Sequence, residues 1–387
     1  PILVLKSILD NIKNNPADTA LIDNIIFVAT PQLGAPKAIA SILYGDDQQI
    51  GKGLILSKTT AQKLAQNSPS AYALLPHTTF GTSPLISIDP SVTKPLFPGV
   101  VQGGRVTSRA TLDMFMKDMA PLADGFAGNI NEELLASSTK NISASNAWTV
   151  PSGITAYQIG GKGLETPRGL YYEAHSTCAP DERGTCQISK EIDHHPLLNT
   201  NGDGTVPLES ALKLPVHSYT VALDKLNKEN NSNFSHADIV SSNDVSNIID
   251  HILTRATSTI SSAQIAFSST GYTSSPQTFS DATVSNKIEI SVHSPVNIMV
   301  TDTTGRKTGA YEIPGSDLKG VLQEIPNSSY QEIGEGKYVT LSRDNIKSIN
   351  VEGTDYGSFT LRMAPLRENS LGELITATSV VREFKDV

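Results

Sequence analysis

Ile25-Ile26-Phe27-Val28-Ala29 is a continuous apolar run with Asp23-Asn24 before it and Thr30 after it. A run this short and unbroken reads as a strand buried on both faces, as in a parallel sheet. Upstream, Leu5, Ile8, Leu9 and Ile12 fall on one face of a helix that closes at Asn14-Asn15-Pro16. Downstream, Thr30-Pro31-Gln32-Leu33-Gly34-Ala35-Pro36 reads as a loop. Residues 37 to 148 are mostly helical in pattern, with an irregular Pro/Ser/Gly-rich stretch from Phe80 to Gly104. Two further strands are expected, Ile154–Ile159 running into Gly160-Gly161-Lys162-Gly163, and Tyr219–Leu223. Between them lie a long polar loop to Gly204 and a short helix, Pro207 to Leu214, with proline in its first turn. A polar loop, Asn227 to Ser235, leads to a last helix in which Val245, Ile248, Ile249 and Ile252 share a face. Strand–helix alternation of this kind places the first two-thirds of the chain in the α/β class.

The texture changes after Thr257. A Ser/Thr-rich linker, 258–285, precedes alternating strands such as Ile288/Ile290/Val292 and Val296/Ile298/Val300, a turn at Thr304-Gly305, and later strands at Tyr338–Leu341 and Ser358–Leu361. This pattern predicts an all-β sandwich over 286–387.

Of 387 residues, 30 are basic and 39 acidic, a formal charge of −9 with no Lys/Arg run. Nucleic acid and anionic membrane surfaces are therefore not expected partners. No apolar run is long enough for a transmembrane helix. The two cysteines, Cys178 and Cys186, flank a polar loop and either close a disulfide, which favours an oxidising compartment, or stay free thiols. Gly160-Gly161-Lys162-Gly163 lacks the spacing of a phosphate loop. The His194-His195 pair beside Asp193 has no evident third metal ligand and reads as solvated. The opening Pro1-Ile2-Leu3-Val4-Leu5 already lies inside a helix and shows no signal pattern, so a natural N-terminus upstream of Pro1 is expected.

In an open α/β sheet, chemistry sits beyond the carboxyl ends of the strands. Two segments stand there. Asn201-Gly202-Asp203-Gly204-Thr205-Val206-Pro207 presents Asp203 between glycines, and Phe234-Ser235-His236-Ala237-Asp238 places His236 between a strand and the last helix. Acid, then histidine, is the order of a Ser…Asp…His triad in α/β hydrolases. His217, His251 and His293 lie at a strand start, in a helix and in the β-domain, and Asp181 and Asp193 lack flanking glycines. Asp203 also reads as a turn residue. A third reading is calcium, because Asn199-x-Asn201-x-Asp203-Gly204 mimics the opening of an EF-hand loop, although Ser210 stands where the twelfth-position Glu belongs. His236, taken by itself, also reads as a surface histidine.

Four segments resemble the lecithin:cholesterol acyltransferase-like, lipase-like branch of the α/β-hydrolases: Ala29–Ala38, Asn67–Pro76, Asn201–Pro207 and Ser235–Val240. The resemblance runs over residues 1 to about 255 and makes Asp203 the triad acid and His236 the base. It implies a helical lid over about 37–150 and an α/β-hydrolase domain over 1–257. Leu112, Phe115, Met116 and Met119, spaced along one helix face, either line an acyl-chain pocket or pack as core. Ser294–Asp302 resembles the accessory sandwiches of some bacterial members.

One feature departs from the family. The nucleophile motif G-x-S-x-G occurs nowhere in the chain. By resemblance the serine falls a few residues before Pro1, and the oxyanion donors are also upstream, one at the amide after the serine and the other in an earlier loop. The expectation is a lipid-directed ester hydrolase or O-acyltransferase in full-length form, with no cofactor and no metal. These residues alone are expected to be inactive, and the protein secreted or cell-surface. The alternative is a non-catalytic, hydrolase-like binding or adhesion protein, calcium-stabilised in one variant. Nothing in the sequence indicates an oligomeric state.

Overall fold

The computed structural model describes residues 2–46, 54–55, 57–81, 83–89, 104–119, 130–180, 186–256, 260, 264–271, 284–293, 295–316, 318–333, 336–355, 359–368, 373–376 and 380–384. Within these, the side chains at 2–3, 16, 54–55, 143–144, 173–193, 284–285 and from 367 onward are outside the description.

The chain opens with helix α1 (Ile2–Ile12) and strand β1 (Asn24–Val28). Leu5, Leu9 and Ile12 of α1 pack on Ile25 and Phe27 of β1, so the two periodicities read from the sequence meet across one interface. A helical layer follows: α2 (Lys37–Tyr44), α3 (Lys58–Gln66), α4 (Pro69–Ala73), the short strand β2 (Ile86–Ile88), α5 (Arg109–Met119) and α6 (Glu132–Ala147). α2 stops at Gly45, whose φ is 69° and whose missing Cβ would lie 2.1 Å from the Lys58 carbonyl oxygen. Only glycine satisfies both demands.

The Leu112/Phe115/Met116/Met119 stripe of α5 is buried in the core of this layer. Phe115 meets Tyr172 edge-on at 5.6 Å between ring centroids. All four side chains are buried there. Arg109, at the start of the same helix, ties the layer together. Its guanidinium donates to Asp113 Oδ1 at 2.6 Å, to the Leu75 carbonyl and to Ser138 Oγ on α6.

Strand β3 (Thr155–Lys162) pairs in parallel with β1, with Asn24 opposite Thr155 and Val28 opposite Ile159. β3 runs straight through Gly160 and Gly161 rather than ending at Ile159. The stretch to Gly204, expected as polar loop, is largely a long hairpin, β4 (Thr166–Pro180) and β5 (Cys186–Asn199). Its ladder runs from Thr166 opposite Asn199 to Pro180 opposite Cys186, and β2 adds to it in parallel. The Cys178–Cys186 pairing concerns side chains outside the described residues.

Strand β6 (His217–Ala222) completes the parallel set against β3. Helix α7 (Leu223–Asn230) begins at once, in place of a loop, and α8 (Asn243–Leu253) buries Val245, Ile248 and Ile252. β7 (Ile265–Ser268) closes the four-stranded sheet in antiparallel sense.

The C-terminal strands are β8 (Val284–His293), β9 (Val296–Asp302), β10 (Lys307–Glu312), β11 (Lys319–Gln323), β12 (Ser329–Ile333), β13 (Gly336–Ser342), β14 (Ile346–Gly353), β15 (Phe359–Glu368), β16 (Glu373–Thr376) and β17 (Val380–Phe384). They form two sheets, and Ile290, Ile298, Val300, Val321, Val339 and Leu341 from both share one apolar cluster. Sheet pairing crosses the boundary expected near residues 258–285. β16 pairs with β5 through Glu373–Asn199 and Leu374–Leu198, and the two-residue strand Leu54–Ile55 pairs with Lys319 and Gly320.

Removal of the Phe115 ring tests the core role of its stripe. Phe115→Ala is expected to cost about 3–5 kcal/mol in urea unfolding, the range for a fully buried aromatic. A ring that merely lined an open cleft would cost about 0.5 kcal/mol or less, as ordinary surface changes do.

Candidate active site

The carboxyl ends of β1, β3 and β6 lie at one edge of the parallel sheet. Asp203 reaches that edge from the turn after the hairpin. It is fully buried, so both carboxylate oxygens need partners. Oδ1 accepts from the backbone N–H groups of Thr205 (3.1 Å) and Val206 (2.7 Å). Oδ2 lies 2.9 Å from His236 Nδ1. The backbone joins the same contact, since His236 N–H donates to the Asp203 carbonyl at 2.9 Å.

The turn is built to bring this about. Gly204 sits at φ +93°, and its N–H donates to Thr166 Oγ1 at 2.9 Å. Asn199 Oδ1 accepts from Asn201 N–H, and Asn201 Nδ2 and the buried Arg168 both donate to Glu209 Oε1. A Cβ on Gly161 of β3 would stand 2.6 Å from Leu223 Cδ1 and 2.9 Å from Asp203 Cβ. That glycine lets the turn lie flat on the strand end. The sequence showed it only as part of a glycine cluster, and Thr166 gave no signal at all.

The histidine is delivered by the chain after α7. Asn231 closes that helix in the left-handed conformation, φ 49°. The buried Asn227 then ties the loop: its Oδ1 accepts from Phe234 N–H (2.7 Å) and Ser232 Oγ (3.1 Å), and its Nδ2 donates to the Phe234 carbonyl (2.9 Å). Asp238 Oδ1 accepts from Ser235 N–H at 2.7 Å. The His236 side chain remains 32% exposed. A carboxylate only accepts, so Nδ1 carries the ring proton toward Asp203, and in the neutral form of the ring Nε2 has a lone pair. Such an imidazole can take a proton from a hydroxyl and is stabilised by the carboxylate once it has done so.

This geometry bears on the calcium reading. Asp203 uses both oxygens within the protein, and Asn199 and Asn201 turn their amides into the loop, so the three do not offer converging ligands. Among the described residues no cluster of three or more His, Cys, Asp or Glu side chains is placed to hold a metal.

A cavity of about 330 Å³ lies between Val4 of α1, Pro31 and Gln32 of the loop after β1, Pro69 and Leu74 at α4, and Leu134 and Ile142 of α6. Its size falls within the range of small-molecule sites. A more polar hollow of about 440 Å³ lies by Asp10, Lys13 and Trp148, and neither Asp203 nor His236 lines this hollow or the 330 Å³ cavity. Gln32 is fixed by the buried Gln158, with Nε2 donating to Gln158 Oε1 at 2.8 Å. Ala29, just before this loop, holds φ 49°, an uncommon conformation for alanine.

His77 also lines the cavity, 3.0 Å from Asn146 Oδ1. Burial pushes its pKa down to about 4, against the pull of the Asn146 bond and with help from Arg109, Lys213 and Lys6. Burial, with Lys213, pushes Lys6 down to about 8.

The structure corrects the reading of His194 as solvated. It is buried, 2.9 Å from Asp46 Oδ2, and stacked on Tyr44 at 3.8 Å between ring centroids. None of Leu112, Phe115, Met116 and Met119 lines the 330 Å³ cavity.

Residues 4–88 match the family model "Lecithin:cholesterol acyltransferase". The match covers α1, β1 and the start of the helical layer, and stops well before Asp203. Phospholipase A(1) LCAT3 of Arabidopsis thaliana is 28% identical over 207 residues, covering 48% of this chain and 43% of that protein. The chain thus spans less than half the length of this curated relative. The crystal structure of Bacillus licheniformis lipase BlEst2 in its propeptide form aligns with 94% of this chain and 73% of its own, at 10% identity and a TM-score of 0.28. That score is too low to bear on the fold. The chain is similar to lecithin:cholesterol acyltransferase-like proteins.

The His77 environment predicts an acid-side loss of stability. The imidazole is neutral in the folded protein but titrates near 6.5 when unfolded, so the unfolded chain binds the extra proton first as pH falls. Stability is expected to fall between about pH 6.5 and 4, and His77→Gln to flatten that part of the pH profile in denaturant melts. An unchanged slope in the variant would overturn this assignment.

Proposed function

We propose that this chain carries the acid and the base of an acyl-ester site of the Ser-His-Asp type, acting on lipid esters by hydrolysis or acyl transfer. The observation that carries the proposal is the 2.9 Å contact between His236 Nδ1 and a fully buried Asp203 whose other oxygen is held by two backbone amides. His236 acts as general base toward a serine hydroxyl and then returns the proton to the leaving group, while Asp203 fixes the tautomer.

The serine is proposed to come from chain preceding Pro1. β1 pairs with β3 on one side only among the described residues. Beside it, α1 leaves Val4 and Ile8 exposed. A strand entering α1 and lying parallel on the open edge of β1 gives a right-handed crossover. It ends at the sheet edge that holds Asp203 and His236, where a strand-to-helix turn presents a nucleophile. The 330 Å³ cavity, which neither Asp203 nor His236 lines, is proposed to take the acyl chain, with the helices within about 37–150 as its lid. The names of the matched family and of the plant phospholipase support a lipid substrate.

The test compares this chain with a longer protein that includes the preceding residues. Only the longer protein is expected to hydrolyse a phospholipid or p-nitrophenyl ester and to be labelled by a fluorophosphonate. In it, Asp203→Asn is expected to lower kcat by about 10³–10⁴-fold, as for a base held in the wrong tautomer. Ester turnover by the 387-residue chain itself, or full activity in Asp203→Asn, would overturn the reading.

A further inference from the structure

Both halves of the Asp203–His236 contact are tied to the C-terminal sheets. On the histidine side, Asn233 Nδ2, three residues before His236, donates to the Gln323 carbonyl at the end of β11 (2.9 Å) and to the Ser328 carbonyl (3.4 Å). Arg306, itself held by the buried Asp302 at 2.8 Å, donates to Asn231 Oδ1 at the turn where α7 ends. Asn327 Nδ2 donates to the Asp224 carbonyl at the start of α7. On the aspartate side, the buried Glu165 receives Lys287 Nζ of β8 at Oε1 and Ser329 Oγ of β12 at Oε2. Glu165 directly precedes Thr166, whose hydroxyl accepts the Gly204 N–H of the Asp203 turn.

We propose that the C-terminal sheets form a brace for the Asp203–His236 pair, with Asn233, Asn231 and Glu165 as positioning residues through which they hold it. The proposal rests on the reading of Asp203 and His236 as a working pair, and it gives the β region a role in the site itself. The physical case is one of direction. A loop that ends at a side chain needing placement within about 0.5 Å must be fixed at more than one point. The ties inside the loop, through Asn227 and Asp238, fix its shape. The ties through Asn233, Asn231 and Asn327 fix its position against a rigid sheet edge. Asn233 donates to two carbonyls at once, which sets the orientation of its amide plane. On the aspartate side Glu165 accepts from Lys287 Nζ and Ser329 Oγ, which fixes the segment leading into Thr166, and its charge is balanced by the lysine from β8.

The experiment uses the 387-residue chain and reads the ring N–H of His236 by proton NMR. A ring proton held against a carboxylate is sheltered from exchange and resonates at low field, and it is assigned by its loss in Asp203→Asn and His236→Gln. Asn233→Ala and Lys287→Met are each expected to abolish or broaden that resonance while the methyl signals of Ile298 and Val339 stay in place. Thr354→Ala, which removes a hydrogen bond to the Pro295 carbonyl inside the C-terminal region, is expected to leave it intact. Should Asn233→Ala fold poorly, Asn233→Asp keeps the shape, removes the donor and must also lose the signal. A resonance unchanged in the Asn233 and Lys287 variants would overturn the brace alone. A resonance absent from the unsubstituted chain would overturn the Asp203–His236 reading and the brace together.

Discussion

The buried Asp203 carboxylate sets the terms for the whole region around it. A carboxylate withdrawn from water is costly unless its oxygens are met by donors. Here two amides of the same turn meet one oxygen and an imidazole meets the other. Each donor makes a demand in turn. The amides require the chain to fold back at Gly204 in a conformation most residues avoid. The close seat of the turn on β3 requires that position 161 carry no side chain. The imidazole requires a loop from the far side of β6 to arrive at bonding distance, and the His236 amide donating to the Asp203 carbonyl closes the two segments together.

The elements legible in the sequence were those whose signal is local. The apolar run before Thr30 and the helix face of Leu5, Leu9 and Ile12 found each other as their patterns imply. The glycines around Asp203 and the placement of His236 pointed to the two residues that meet. Less legible were elements made by their partners. The stretch containing Pro167, Gly169 and several charged residues has poor intrinsic strand character, yet it is a strand because a ladder running from Thr166–Asn199 to Pro180–Cys186 supplies its hydrogen bonds. Helix α7 was hidden because Leu223-Asp224-Lys225-Leu226 continues an apolar strand into a polar segment with no capping residue: Ala222 stands at the cap and makes no side-chain bond. His194 looked solvated because its partner Asp46 lies far away in the chain, and stacking on Tyr44 cannot be read from spacing.

The same distinction separates positions 112, 115, 116 and 119 from the cavity. A helical stripe of Leu, Phe and Met records that one face is buried, and says nothing of what buries it. In the structure, helices and the β4 strand bury it, and the cavity is lined instead by residues of mixed character whose sequence pattern is unremarkable: Val4, Pro31, Leu74, His77 and Leu134. Cavities form where elements fail to close on each other, so their lining is drawn from the edges of several elements rather than from one face.

The joint between the sheets and the site is polar, and its magnitude indicates its role. A single hydrogen bond contributes about 0.5–1.5 kcal/mol net to stability, too little for a few of them to hold two large sheets together. The C-terminal strands are already joined to the hairpin before Asp203 by pairing at Asn199 and Leu198. The Asn233, Asn327 and Glu165 bonds add to this strand pairing. Their value lies in geometry: amide-to-carbonyl bonds fail steeply with distance and angle, so each restricts the loop it touches to a narrow set of positions. In the proposed role of His236, with Nε2 facing a reacting hydroxyl, that restriction matters more than the energy of the bonds that impose it.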